Sequence, residues 1–206
     1  MMVIRYDFDS RIPEPAVRVS ELTENQDDGA GTLWKGEWAS QSPLNSFRIV
    51  QNGLGSNKSR GYLELRAQNA DQFYVESTPY WWETSTTFDL RDTKLSFYLK
   101  EIEPIEVSSG YSLRVFVADY QVGKSYCGWD LIVPLSLGDK EWALNDVHLD
   151  NDESNWIRYS NSRSLNEVLS RVGFIGLRYA KNGGRKGVGG TGVLGLDEFT
   201  YQVRDQ

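Results

Sequence analysis

The stretch Gly187-Val-Gly-Gly-Thr-Gly-Val-Leu-Gly-Leu-Asp197-Glu-Phe-Thr-Tyr-Gln-Val203 runs from a glycine-rich loop into an apolar strand that is interrupted by one acid. Glycines at this density turn tightly or let other backbone approach closely. A carboxylate inside an apolar strand is exposed by the pleat, satisfied by backbone donors, or paired with a cation, because an unpaired buried charge costs several kcal/mol. Asp197 is therefore the residue that the closing strand has to explain.

Working back from it, Val172-Gly-Phe-Ile-Gly-Leu-Arg-Tyr179 reads as another strand, joined to the last by the Gly183-Gly184 turn. Before it, Ser164 followed three residues later by Glu167 forms a capping box, and Leu165, Val168 and Leu169 supply the apolar stripe of one short helix. Period-2 alternation dominates the middle of the chain. Leu63 and Leu65 share one face against Tyr62, Glu64 and Arg66. Leu95, Phe97 and Leu99 alternate with the outward Tyr98, and Leu113, Val115 and Val117 alternate with Arg114 and Phe116. Residues 3–9, 16–22, 47–51, 72–76, 130–135 and 142–149 complete about ten strands with turn residues between them, which is the pattern of a single-domain, antiparallel β-sandwich.

Composition narrows the function. Within 206 residues there are 7 Trp, 11 Tyr and 8 Phe, more flat apolar surface than a core of this size needs, so part of it is expected on display. A formal net charge of −7, with no Lys/Arg cluster, argues against a nucleic-acid footprint and against an anionic membrane surface. No run reaches the roughly 18 apolar residues of a membrane span, and the opening Met-Met-Val-Ile-Arg-Tyr-Asp is too polar for a signal peptide. Cys127 is the only cysteine, so no internal disulfide forms, and the compartment stays open.

Four segments carry a family resemblance. Asp89-Leu-Arg-Asp-Thr-Lys-Leu-Ser-Phe-Tyr-Leu-Lys100, the 111–119 strand, the 165–177 turn and strand, and Gly195-Leu-Asp197-Glu-Phe-Thr-Tyr201 follow the order and pattern of galactose-binding-like jelly-roll modules of the carbohydrate-binding type. The resemblance implies a binding module, with a structural calcium at the aspartate of the closing strand. Carried onto this chain, that aspartate is Asp197, with Asp9 as the matching acid near the N-terminus. The bare alternative is that Asp197 bonds a neighbouring amide without metal. A second D-x-D run, Asp150-Asn-Asp152, lacks the glycine and the acid that an EF-hand loop needs at its sixth and twelfth positions, and is read as a solvated acidic turn.

A sugar ring stacks its apolar face on an aromatic ring and needs charged or amide partners for its hydroxyls. The candidate carbohydrate-binding residues are Trp81 and Trp82, of which one must leave the core if the segment is extended, with Tyr98, Arg114, Phe116, Tyr120, Trp129 and Arg178. The plainer reading of the two strand faces, that they pack under covering loops with their arginines paired to surface acids, stands beside this one. Trp129 also fits a plug over one end of the sandwich. Catalysis has little support. His148 is the only histidine, no motif joins it to Cys127, no acidic pair of the glycosidase kind is evident, and the glycine run lacks the P-loop pattern. The expectation is a non-catalytic carbohydrate-binding module. The alternatives are an assembly module of the phage or surface-appendage kind that uses its aromatics as a protein interface, and a β-sandwich lyase or hydrolase.

Overall fold

Alternating apolar side chains place the layers. In the computed structural model, Leu95, Phe97 and Leu99 of one strand and Leu113, Val115 and Val117 of another are buried in one core, contributed by two sheets that face each other. The structure describes residues 2–6, 8, 33–35, 38–40, 45–51, 54–56, 59–70, 74–77, 87–119, 127–160, 163–181 and 188–204.

Among them the strands are β1 (Met2–Tyr6), β2 (Leu33–Lys35), β3 (Trp38–Ser40), β4 (Asn45–Gln51), β5 (Gly61–Ala70), β6 (Tyr74–Ser77), β7 (Thr93–Val107), β8 (Ser112–Asp119), β9 (Cys127–Leu131), β10 (Ala143–Leu149), β11 (Trp156–Ser160), β12 (Phe174–Ala180) and β13 (Gly190–Val203). One sheet has the order β10-β7-β13-β5-β4, with β1 also paired to β13. The other has the order β11-β9-β8-β12-β6-β3-β2. Every strand pairing is antiparallel, so the fold is the expected all-β sandwich.

The closing strand does organise its sheet. β13 pairs with β7 along one edge. On its other edge it pairs first with β5, from Gly190 to Leu196, and then with β1, from Phe199 to Val203. The N-terminal strand thus continues the line where β5 begins, and Phe8 sits buried at that junction with φ of 56°.

The helix α1 (Leu165–Leu169) carries the capping box read from the sequence. Glu167 N donates to Ser164 Oγ, Ser164 N donates to Glu167 Oε2 at 2.9 Å, and Leu165, Val168 and Leu169 are buried. On either side of it, Arg163 and Arg171 both pair with Asp119, which is buried at the end of β8, and so fix the helix to the seven-stranded sheet.

Two expectations move. The strand placed at 130–135 is β9, which ends at Leu131, because Ile132 to Pro134 leave the ladder as the chain turns away. The 156–160 strand lies where only an acidic turn was expected. That turn is real and precedes it: Asp152 caps a single 3-10 turn through Ser154 N, and Asp150 accepts from Asp152 N and Asn155 Nδ2. The strand expected at 16–22 lies outside the described residues. Among those described, no helix is long and apolar enough to cross a membrane.

Candidate functional site

Register on the seven-stranded sheet sorts its side chains. Leu113, Val115, Val117, Ile175, Leu177 and Trp129 face the sandwich core, which leaves Arg114 and Phe116 of β8, Phe174 and Arg178 of β12 and Asp130 of β9 on the opposite, outer face. Phe116, Ala118, Tyr159 and Phe174 form a second, smaller apolar cluster there. An outer face with its own buried cluster is unlike the solvated outer face of an ordinary sandwich sheet.

The polar centre of this face is one side chain that crosses three strands. Arg178 starts on β12 and passes over the Phe116 ring, with its guanidinium carbon 5.6 Å from the ring centroid. It reaches Asp130 on β9 through a two-pronged pair, Nε to Oδ1 at 2.7 Å and Nη2 to Oδ2 at 2.5 Å. The same guanidinium carbon lies 3.7 Å from the centroid of the Tyr159 ring of β11, a close cation–π stack. Gly128, next to Asp130 on β9, makes room for that ring, because a Cβ there would collide with the Tyr159 phenol. Burial pushes the Asp130 carboxyl upward, against the opposing pull of Arg178 and of the more distant Arg114. Forming this pair therefore offsets desolvation more than it adds net stability, as buried pairs commonly do.

Arg114 lies directly across from Arg178 in the β8–β12 register. It is 6% exposed, its Nε donates to Ser112 Oγ at 2.9 Å, and its Nη1 has no hydrogen-bond partner. Burial, and secondarily the like charge of Arg178, lower its pKa, while Asp130 opposes them.

The expected site residues divide. Arg114, Phe116 and Arg178 are brought together on this face, on the outward side that the alternation gave them, yet buried instead of open. Trp129 does not join them. It opposes Val117 in the register and packs in the main core, so it is a core residue, with the Arg158 guanidinium carbon over its ring 5.7 Å from the centroid. Tyr98 is on the other sheet, half-buried opposite Leu144 and Asp197. Trp81, Trp82, Tyr120 and Asp9 lie outside the described residues. Asp130 and Tyr159, central to the face, were not among the expected site residues. The alternation of Trp156-Ile-Arg-Tyr-Ser160 is the signal that would have exposed Tyr159.

The other sheet's outer face is different in kind. A depression of about 370 Å3 there is lined by Lys94, Ser96, Asp146, His148 and Thr200, among others, with no Phe, Tyr or Trp among the described lining residues. His148 is exposed on β10, while Cys127 is buried in the core on β9 of the opposite sheet.

Comparison with solved structures gives the fold its relatives. The family 11 carbohydrate-binding module of Clostridium thermocellum, solved in complex with a β-1,3-1,4-mixed-linked tetrasaccharide, superposes with a TM-score of 0.51 at 17% identity, covering 86% of this chain and 94% of that one. The CBM22-1 xylan-binding domain of Paenibacillus barcinonensis Xyn10C superposes with a TM-score of 0.53 at 10% identity, covering 98% and 94%. The chain has the β-sandwich fold of carbohydrate-binding modules. No family model matches the sequence, and no curated protein does.

Asp197, fully buried on β13, ties the closing strand to the segments 54–56 and 59–60 that precede β5. Its Oδ2 accepts from Ser56 N at 2.7 Å and lies 2.6 Å from Ser59 Oγ, and its Oδ1 accepts from Glu198 N at 2.8 Å. Glu198 has φ of 48°, so the chain bends at the bulge that this carboxylate caps. Trp142 Nε1 donates to Leu54 O at 3.0 Å and holds the 54–56 segment as well. Burial raises the Asp197 carboxyl to about 6 against the lowering pull of these donors.

The oxygens around Asp197 are of the type that calcium takes, since the Gly61 carbonyl lies 2.8 Å from Ser59 Oγ, and the Ser56 hydroxyl is buried beside the carboxylate. Both carboxylate oxygens are nevertheless engaged by protein donors, and no group of three His, Cys, Asp or Glu is gathered among the described residues. The described set is complete as a hydrogen-bonded tie; a calcium there would need further oxygens, Asp9 being the expected one.

Proposed function

We propose that this protein is a non-catalytic carbohydrate-binding module that holds a glycan on the outer face of its seven-stranded sheet. The observation that carries this is the array of Phe116, Tyr159, Arg178 and Asp130 across β8, β11, β12 and β9, which joins aromatic rings to a guanidinium and a carboxylate held at fixed geometry. Rings and charged groups of these types are what a pyranose meets through its apolar face and its hydroxyls, and Phe116 and Tyr159, 2% and 5% exposed, reach a sugar only when the face opens. The two similar modules, one solved in complex with a β-1,3-1,4-mixed-linked tetrasaccharide and the other described as a xylan-binding domain, support a polysaccharide as the ligand class. The separation of His148 and Cys127 onto opposite sheets supports binding over catalysis.

The test is a panel of soluble polysaccharides, mixed-linkage β-glucan and xylan included, examined by affinity electrophoresis and calorimetry. Binding to at least one is expected, and it is weakened by Arg114→Ala, and by Trp82→Ala in the aromatic 80–82 cluster, while each variant unfolds at an unchanged temperature. Absence of binding across the panel by a folded protein overturns the proposal.

A structural calcium held by Asp197 and Asp9 is a second reading of the Asp197 tie. The buried Ser56 hydroxyl, a further neutral oxygen beside that carboxylate, favours it. Its expected signature is an unfolding midpoint that rises with added calcium and falls with a chelator.

A further inference from the structure

Resting on the glycan-binding reading, we infer that the saccharide bound at this face carries an anionic group, a uronate carboxylate or a sulfate ester, and that Arg114 receives it. Charges at the centre of the face are unevenly matched. Two arginines are direct partners in the β8–β12 register, and like charges placed opposite each other repel. Asp130 is the carboxylate that answers them, and both of its oxygens are taken by Arg178. Arg114 is left with a single hydrogen bond, to the neutral hydroxyl of Ser112.

A guanidinium buried to 6% exposure with Nη1 unpartnered is out of keeping with the rule that buried charges are paired. Half-buried arginines with carboxylates nearby do find them in this molecule. Arg66 takes Glu103 through two bonds of 2.8 and 2.6 Å, and Arg91 takes Asp89 in the same way. The fork of a guanidinium matches two oxygens of a carboxylate or sulfate, and a charge-assisted bond of this type is about twice as strong as a neutral one. Arg178 is committed to Asp130 and lies against Tyr159. It acts as a positioning residue that holds the rings and the one carboxylate in place, and Arg114 is the donor left for the ligand.

The experiment uses the whole chain and compares each acidic polymer with its neutralised form: polygalacturonate against carboxyl-reduced polygalacturonate, glucuronate-substituted xylan against unsubstituted xylan, and carrageenan against desulfated carrageenan. The acidic form is expected to bind more tightly by about tenfold or more, the scale of one charge-assisted hydrogen bond. The uronate and sulfate arms tell which anion is read. Arg114→Gln is expected to remove the preference while leaving residual affinity for the neutral polymer, and Arg114→Lys to restore part of it. Should Arg114→Gln fail to fold, the acidic-against-neutral comparison on the unaltered protein still decides. Equal affinity for each acidic and neutral pair, or an unchanged preference in a folded Arg114→Gln, overturns the inference and leaves the glycan-binding reading standing. Binding to none of the polymers overturns both.

Discussion

Asp197 is a carboxylate whose setting should be visible in the protein's response to acid. In the folded chain it titrates near 6, above the ordinary aspartate value of 3.8, because burial outweighs the three donors around it. Between those two values the native state holds the proton and the unfolded state does not, so this residue favours the fold increasingly as pH falls from 7 through 6 towards 4. The full swing is on the order of 3 kcal/mol, at 1.36 kcal/mol per pKa unit. Urea unfolding of the protein and of Asp197→Asn across pH 4–7 should therefore show a difference between the two that grows on acidification in favour of the unaltered protein. A calcium-loaded site behaves in the opposite sense, since the metal takes only the deprotonated carboxylate and is expelled by acid. The sign of the difference, measured with calcium and with chelator, separates the hydrogen-bonded tie from the metal site.

At the scale of elements, the seven-stranded sheet depends on one cross-strand pair. Asp130 on β9 and Arg178 on β12 are not neighbours in the sheet; β8 lies between them, and the bond passes above Phe116. Removing one partner strands the other in a buried setting, so Asp130→Asn is expected to destabilise the fold by about 3–5 kcal/mol, whereas replacing both with apolar residues costs far less. A double-mutant cycle by chemical denaturation measures this, and a cost below about 1 kcal/mol for Asp130→Asn would mean that the pair does not hold the face together. This is also where reading the sequence stops short. The period-2 alternation of Leu95, Phe97 and Leu99 and of Leu113, Val115 and Val117 is written locally, because a strand with one buried face must repeat every two residues. The capping box of Ser164 and Glu167 is local in the same way. That Arg178 meets Asp130 and Tyr159 depends on strand order and register, which no short window contains. Nor does alternation say that an outward residue is exposed: Arg114 and Phe116 took the outer side and are still buried, because that face carries its own apolar cluster. From the sequence Trp129 fits a plug over one end of the sandwich, and its core position follows only from its pairing with Val117.

For the whole molecule the competing readings are a module that binds a polymer and a module that binds other protein chains. A stable protein interface buries about 1,200–2,000 Å2 and is built on a continuous apolar patch with aromatic anchors. The large apolar side chains exposed among the described residues are Val3, Leu54, Val133 and Leu144, and they are divided between two strands of one sheet and two separate loops. Scattered single residues of this kind are ordinary surface. The ring-rich face of the other sheet is buried, with Asp130 and Arg178 paired to each other, so among the described residues it adds no exposed apolar patch of that size. The chain is therefore expected to run as a monomer of 23.5 kDa in light scattering at micromolar concentration, and to stay monomeric when a short oligosaccharide is added. A dimer or larger species that dissociates on Trp81→Ser or Trp82→Ser would show the aromatics spent on a protein partner and would favour the assembly reading. A monomer that gains thermal stability on adding oligosaccharide would place the ligand on the folded state, since a ligand that binds only the native form stabilises it in proportion to the logarithm of its concentration over its dissociation constant.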